Sequence, residues 1–483
     1  MSTRFPRSLR VVQPHVRCED PHVCTDDGSS LALRGALFEA LVRRSDAATF
    51  APALASAWRV AEDARRWTFV LRAGVLAHDG MPLEPRDVLA SLERVRDPDV
   101  GGALGTEGVY AGYLQGARLT LAEERGVATL SIELERPMAD LLDLLVDVPV
   151  IPERAHGRHA RHPVGTGPYA VSRLDEDEVA LSRWAGHWSS GARFETVTFR
   201  SEPNAESRAA AVRSGRAHLA AGLTPELANG LEGAAGLQVI GRPSSTCVAF
   251  FFGLSYSGAP APISDVRVRQ ALHHATDVGA LIERVLLGRA RRLAGPFSEL
   301  HLAFDPDVPA FGFDPQRAST LLAEAGWAGG LELTADVPTR LPDEAPAVAE
   351  ELRQQWARVG VRLRVLSYAD RLEYARMVRE KRIHDLCCFD SAPISSYRVL
   401  MEKFHSGAQG PWWQGYRSAE VDELIERGAA TTGTRARQAL YRQAFRQLVH
   451  DAPWLWLYAP DRLWLASDAL SGWQPSFDGV TVV

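Results

Sequence analysis

The sequence predicts an α/β fold divided into two or three interwoven lobes, and three observations carry that reading. The chain has 483 residues, whereas a single hydrophobic core stops growing near roughly 250–300 residues. Segments with period-2 alternation recur between segments with helical periodicity along the whole chain. No internal repeat or low-complexity linker separates the parts, so the lobes are expected to exchange chain with one another.

The elements follow in order. "LRVVQPHV" reads as a strand, and the polar loop after it ends at Ser29 and Ser30, either of which can cap a helix. Leu33, Leu37, Ala40 and Leu41 then recur at helical spacing. Trp67, Phe69 and Leu71 alternate in "WTFVL", as do Leu130, Ile132 and Leu134 in "ATLSIEL", and Arg125-Gly126 is a turn candidate before the latter. Between them Val88, Leu92 and Val95 share one helical face. Further on come the strands "EVALSR" and "VTFRS", then a helix from about Asn204 to Ser214 closed by Gly215. "TCVAFFFGL" opens a new unit, followed by a helix through "DVRVRQALHHATD" and another bearing Val348, Leu352, Trp356 and Val359. That helix stops at Gly360 and leads into the strand "VRLRV"; the last helix, around Leu440, Ala444 and Leu448, ends near Pro453 before "WLWLY".

The apolar fraction of 46% and charged fraction of 24% are those of an ordinary globular chain, and the net charge of -6 argues against nucleic acid as a partner. Lys381 and Lys403 are the only lysines, as coding bias toward GC-rich DNA would produce. The opening "MSTRFPRSLRVVQPHVRCEDPHVCTDDG" has no apolar stretch of secretory type, and no window is long and apolar enough to span a membrane. The expectation is an unexported chain, or a mature form whose leader has been removed. Cys18 and Cys24 share a loop and could pair in an oxidising compartment, whereas Cys247, Cys387 and Cys388 lie in apolar runs that read as buried strand.

Four blocks then carry a resemblance that spans residues 52 to 473. They are "PALASAWRVAEDARRWTFVLRAGVLAHDGMPLEPRDVLASLERV", "PVGTGPY", "SDVRVRQALHHATD" and "DAPWLWLYAPDRLWLASDALSGW". The chain resembles the family 5 extracellular solute-binding proteins of ABC transporters, which include dipeptide-, oligopeptide- and nickel-binding proteins. The resemblance implies a periplasmic-binding-protein-like fold of type II, cluster C. Two main α/β lobes would close by hinge motion over a small-molecule ligand, beside a smaller third lobe. The expected partition is 1–44, 163–238 and 456–483 in the first lobe, 45–162 as the small inserted lobe, and 239–455 as the second ligand-binding lobe. ABC permease subunits as partners, a monomer, and a periplasmic or cell-envelope location follow from the same resemblance. The missing export signal keeps a cytoplasmic sensor or enzyme on this fold as the alternative.

"PVGTGPY" lacks the context of a phosphate-binding loop, because Pro168 and the strand-like "YAVSRL" follow it where a helix would be required. It is expected to be a tight turn. Ligand contacts are expected from aromatic side chains in loop-like stretches, Tyr110, Tyr113, Tyr397, Trp412 and Trp413, with Trp454, Trp456 and Trp464 assigned to the core. In "HDLCCFDSAPISSYRVL", similar peptide-binding members carry an Asp-Pro pair whose aspartate neutralises a peptide amine. Aligned through Ala392-Pro393, this chain has Ser395-Ser396 at that place and Asp390 a few residues earlier. A buried ammonium needs a counter-charge, so Asp390 is the candidate substitute. Ser391, Ser395, Ser396 and Tyr397 offer hydroxyls suited to a sugar or opine-like conjugate, and Arg398 could pair with a ligand anion.

His22 is a further ligand candidate. "HGRHARH" spaces His156, His159 and His162 three apart, but Gly157 and Pro163 oppose a regular helix, so a solvated loop is expected, with no metal and no cofactor. G-x-S-x-G, H-E-x-x-H and Walker-type motifs are absent, and Asp140 and Asp143 are expected to face solvent. No catalytic residue is expected, and the protein is read as a binding protein.

Overall fold

The computed structural model describes residues 5–23, 27–46, 49–100, 109–159, 161–189, 191–255, 262–340 and 342–476. The chain forms two units, Met1–Arg242 with Arg462–Val483, and Pro243–Asp461. Strand pairing decides where they part. Leu237–Arg242 stays with the first unit because it pairs antiparallel with Arg462–Ser467. Trp454–Pro460 stays with the second because it pairs with Cys247–Phe252. The breaks therefore fall at 242/243 and 461/462, not at 238/239 and 455/456.

In the first unit a seven-stranded sheet has the order Leu237–Arg242, Arg462–Ser467, Leu219–Ala221, Ser8–Gln13, Thr196–Ser201, Glu178–Arg183 and Tyr169–Leu174. Ser8–Gln13 lies parallel to both of its neighbours. The segment expected as a separate small lobe is grouped with this unit but has its own antiparallel sheet, Ala55–Val60, Arg66–Leu71, Val127–Glu133 and Arg118–Glu124. Its buried face is Trp67, Phe69, Leu130 and Ile132, the residues that alternation selected. Arg125 and Gly126 both adopt positive φ, 53° and 78°, the requirement of a two-residue hairpin turn.

The first helix, Gly28–Leu37, is capped by Asp27, whose carboxylate accepts the Ser30 N–H at 2.7 Å. Ser29 and Ser30 are inside the helix, and Ala40 and Leu41 lie beyond it because Phe38 is extended. The "PVGTGPY" turn packs against the end of this helix. A Cβ on Gly165 would lie 2.1 Å from the Leu37 carbonyl oxygen, and one on Gly167 would lie 2.6 Å from that of Ala36. The Gly167 N–H donates to the Leu37 oxygen at 3.0 Å, and strand Tyr169–Leu174 follows. The glycines thus permit a close approach of two backbones.

The second unit is built on a six-stranded sheet in the order Ala290–Arg292, Trp454–Pro460, Cys247–Phe252, Leu386–Ser391, Leu331–Pro338 and Val361–Tyr368. The last two are parallel and joined through helix Ala345–Ala357, the crossover that a parallel pair needs. One core gathers Phe250, Phe252, Leu386, Cys388 and Leu455 from the sheet with Leu272, Leu281, Val348, Leu352 and Trp356 from the helices. The central strands Cys247–Phe252 and Leu386–Ser391 are buried almost throughout, which is why they read as continuous apolar runs instead of alternating ones.

Candidate functional site

Strand Leu386–Ser391 lies between Cys247–Phe252 and Leu331–Pro338. Its apolar run keeps it in the sheet, and its last two residues are polar. Asp390 is half-buried, with Oδ1 3.9 Å from Nη2 of Arg371, beyond hydrogen-bond length. Burial pushes the Asp390 carboxyl above the usual carboxylate range, against the pull of Arg371 and Lys403. Arg371 begins helix Arg371–Arg379, whose N-terminus is held by Asp370 through the N–H groups of Leu372 and Glu373. The guanidinium carbon lies 4.7 Å from the Phe389 ring centroid and 5.8 Å from that of Tyr374. Among the described residues, Nε and Nη1 of Arg371 and Oγ of Ser391 are enclosed and have no hydrogen-bond partner. Ser391 is 1% exposed.

The neighbouring segment is arranged differently from the sequence expectation. Ser395 caps helix Ser396–Lys403, accepting the Arg398 N–H at 3.2 Å, and the Ser396 hydroxyl accepts the Ala303 N–H at 2.9 Å. Arg398 donates to Glu402 at 2.9 Å inside the fold, the two side chains being 4% and 7% exposed. The Ser395 hydroxyl holds the backbone of its own helix, that of Ser396 holds the distant Ala303 backbone, and Arg398 serves an internal ion pair. Tyr397, Trp412 and Trp413 are buried as well. Trp412 packs 4.7 Å from Phe389 and lies 5.8 Å from Nζ of Lys403, and Trp413 donates to the Tyr416 carbonyl at 2.7 Å. Phe389 therefore brings Arg371 and Trp412 onto neighbouring ground.

The first unit places Tyr110 and His22 in structural roles. Tyr110, on helix Val109–Leu114, is buried and donates to the Asp147 carbonyl at 3.1 Å, while Tyr113 on the same helix is partly exposed. His22 is fully enclosed. Since Arg94 can only donate, Nδ1 of His22 accepts from it at 2.6 Å and Nε2 donates to the Pro149 carbonyl at 2.8 Å. Burial, with Arg94 adding to it, pushes this imidazole down to about 3, so His22 is a neutral brace, leaving no ring nitrogen for a ligand. His159 is buried, not solvated, and burial lowers both it and His156.

Asp140 is buried and Asp143 pairs with Arg44 at 2.7 Å, so neither faces solvent freely. Among the described residues no group of three or more His, Cys, Asp or Glu side chains is placed to hold a metal ion. Cys24 lies outside the described residues, and with it the question of whether it pairs with Cys18.

Residues 49–389 match the family of bacterial extracellular solute-binding proteins, family 5 (Middle). The chain belongs to this family. This family 5 solute-binding protein is 25% identical over 454 residues to the dipeptide-binding protein of Escherichia coli (strain K12), covering 88% of this chain and 83% of the relative. Its fold is shared with the periplasmic binding protein DppA from Helicobacter pylori, solved in complex with the peptide STSA, at a TM-score of 0.78 and 22% identity, covering 96% and 94% of the two chains. It is also shared with MoaA from A.tumefacien R10, solved in complex with mannopinic acid, at a TM-score of 0.74 and 22% identity, covering 96% and 94%. The type II periplasmic-binding-protein fold and the solute-binding function follow, and the sensor or enzyme alternative is not favoured. No helix of the described residues is long and apolar enough to cross a membrane.

One residue of the candidate site was not singled out from sequence. Arg371 follows a good helix cap, "AD", and is one arginine among many; its nearness to Asp390 arises from the parallel strands of the second unit, which no local pattern displays. The departure from the family's Asp-Pro pair was the only available signal.

Proposed function

We propose that this family 5 protein captures a small polar solute bearing an amine, outside the cytoplasmic membrane and as a monomer, and delivers it to the permease subunits of an ABC importer. Asp390 supplies the counter-charge for the amine. The observation that carries this reading is a carboxylate at the end of the central strand of its sheet, half-buried and 3.9 Å from Arg371, a separation too long for a hydrogen bond. A solute amine would gain both a Coulombic partner and a charge-assisted hydrogen bond there. Both peptides and opine-like conjugates carry such a nitrogen, in keeping with the peptide and mannopinic acid complexes of proteins that share the fold.

Asp390→Ala should weaken binding of the captured solute tenfold or more, a loss of about 1.4 kcal/mol. Isothermal calorimetry of the two proteins measures this, and an unchanged affinity would remove Asp390 from the site.

A further inference from the structure

We propose that His22, His156 and His159 form, with Arg94, an acid-sensitive fastening inside the first unit. It holds the loop at residues 18–23 onto the segment at residues 149–159 near neutral pH and releases that loop as pH falls. Hydrogen-bond geometry requires His22 to be uncharged there. Its Nδ1 accepts from Nη1 of Arg94 at 2.6 Å, and its Nε2 donates to the Pro149 carbonyl at 2.8 Å. A second proton would go to Nδ1, which would then point an N–H at a guanidinium that has no acceptor to offer. The bond that ties the loop to the end of helix Pro85–Arg94 becomes a repulsion.

The two other rings share this constraint. The His156 ring centroid lies 6.4 Å from that of His22. His159 is 4% exposed, and among the described residues neither of its ring nitrogens has a hydrogen-bond partner; Nε2 of His156 is enclosed without one as well. A charged imidazole donates from both nitrogens, and donors enclosed without acceptors make charging costly. Burial accordingly lowers all three imidazoles, His22 to about 3. The charged groups that face the rings are Arg94, Asp20 and Glu153. Asp20 is already committed, to Arg94 at 2.9 Å and to the His22 N–H at 3.0 Å, and Glu153 is exposed. Three added protons would therefore meet one guanidinium and little free negative charge.

An unfolded imidazole titrates near about 6.5. Because the folded rings stay neutral below that value, opening takes up protons, so the fastening has its full strength above about pH 6.5 and loses it progressively as pH falls. The Ser91 hydroxyl, which does not titrate, holds the Ile151 N–H to the helix at 2.9 Å, so the loop is the side that moves. Cys18, Pro21 and Val23 of that loop line a groove with Leu33, Leu37 and Phe38, and its release reshapes this apolar ground. A protein working outside the cytoplasmic membrane takes the pH of its surroundings, which gives such a device a signal to read.

Hydrogen exchange of the full chain, followed by mass spectrometry and corrected for the intrinsic pH dependence of exchange, tests this. Between about pH 7.5 and about pH 5 the protection of residues 19–23 should fall at least tenfold, the share of one imidazole proton, while Ser8–Gln13 in the same unit keeps its protection. His22→Gln should lessen the loss, and His22→Gln with His156→Gln and His159→Gln should abolish it, since an amide accepts and donates as the neutral ring does but takes up no proton. Unchanged protection in the wild-type protein, which requires no variant to fold, would overturn the inference. An equal loss at Ser8–Gln13 would overturn it too, as that is unfolding of the whole unit. A full loss that persists in His22→Gln or in the triple variant would assign the effect to another group and overturn the role of the imidazoles.

Discussion

Trp356→Ala is expected to destabilise the unit that carries Asp390 by about 3–5 kcal/mol, the range for truncating a buried indole. Trp356 has no exposed surface and sits in the core between helix Ala345–Ala357 and the sheet. Its Nε1–H donates to Thr276 Oγ1 at 2.9 Å, and the Thr276 hydroxyl in turn donates to the Leu272 carbonyl at 2.7 Å. Truncation opens a cavity beneath the parallel pair Leu331–Pro338 and Val361–Tyr368 and removes the donor from a buried oxygen. Native-state hydrogen exchange reads the two units separately. Protection of those strands should fall by the stated amount while that of Ser8–Gln13, in the other unit, stays unchanged. A loss under about 1 kcal/mol, smaller than cavity formation permits, would show that the indole is not the keystone of this core.

Glu402→Ala should cost a similar amount, about 3–5 kcal/mol, because it strips a buried guanidinium of its carboxylate. Arg398 and Glu402 are one helical turn apart and almost entirely enclosed. Replacing both, Arg398→Met with Glu402→Leu, should restore most of the loss, since well-packed apolar side chains often match or exceed a buried ion pair. The comparison also separates two roles for Arg398. If it only serves the fold, the double variant keeps wild-type solute affinity by calorimetry; if it contacts a ligand anion, affinity falls although stability returns. The buried pair favours the first outcome.

These residues show where sequence reasoning succeeds and where it stops. Helix Ala205–Arg213 was legible because Asn204 caps it and Gly215, at φ 72°, ends it. The strand Arg66–Leu71 and the hairpin around Arg125-Gly126 were legible because alternation and turn chemistry are local. The first helix is shorter than the apolar spacing predicts, since Ala40 and Leu41 are buried for packing reasons unrelated to helical period.

The candidate site was harder. Asp390 stood out through the departure from the family's Asp-Pro pair, but Ser395, Ser396, Arg398 and His22 have chemistry that suits a ligand and equally suits a cap, a backbone acceptor, an ion pair or a buried brace. Only three-dimensional neighbours distinguish these uses, and Arg371 becomes visible solely through them.

The central claim is capture of a small solute without chemical change, and native mass spectrometry after exposure of the protein to its host's metabolite extract tests it most directly. The account predicts a retained mass that matches an extract component, is released unaltered on denaturation, and is lost or weakened in Asp390→Ala. A released molecule absent from the extract and accumulating over repeated additions would contradict it, because the protein would then be transforming its solute.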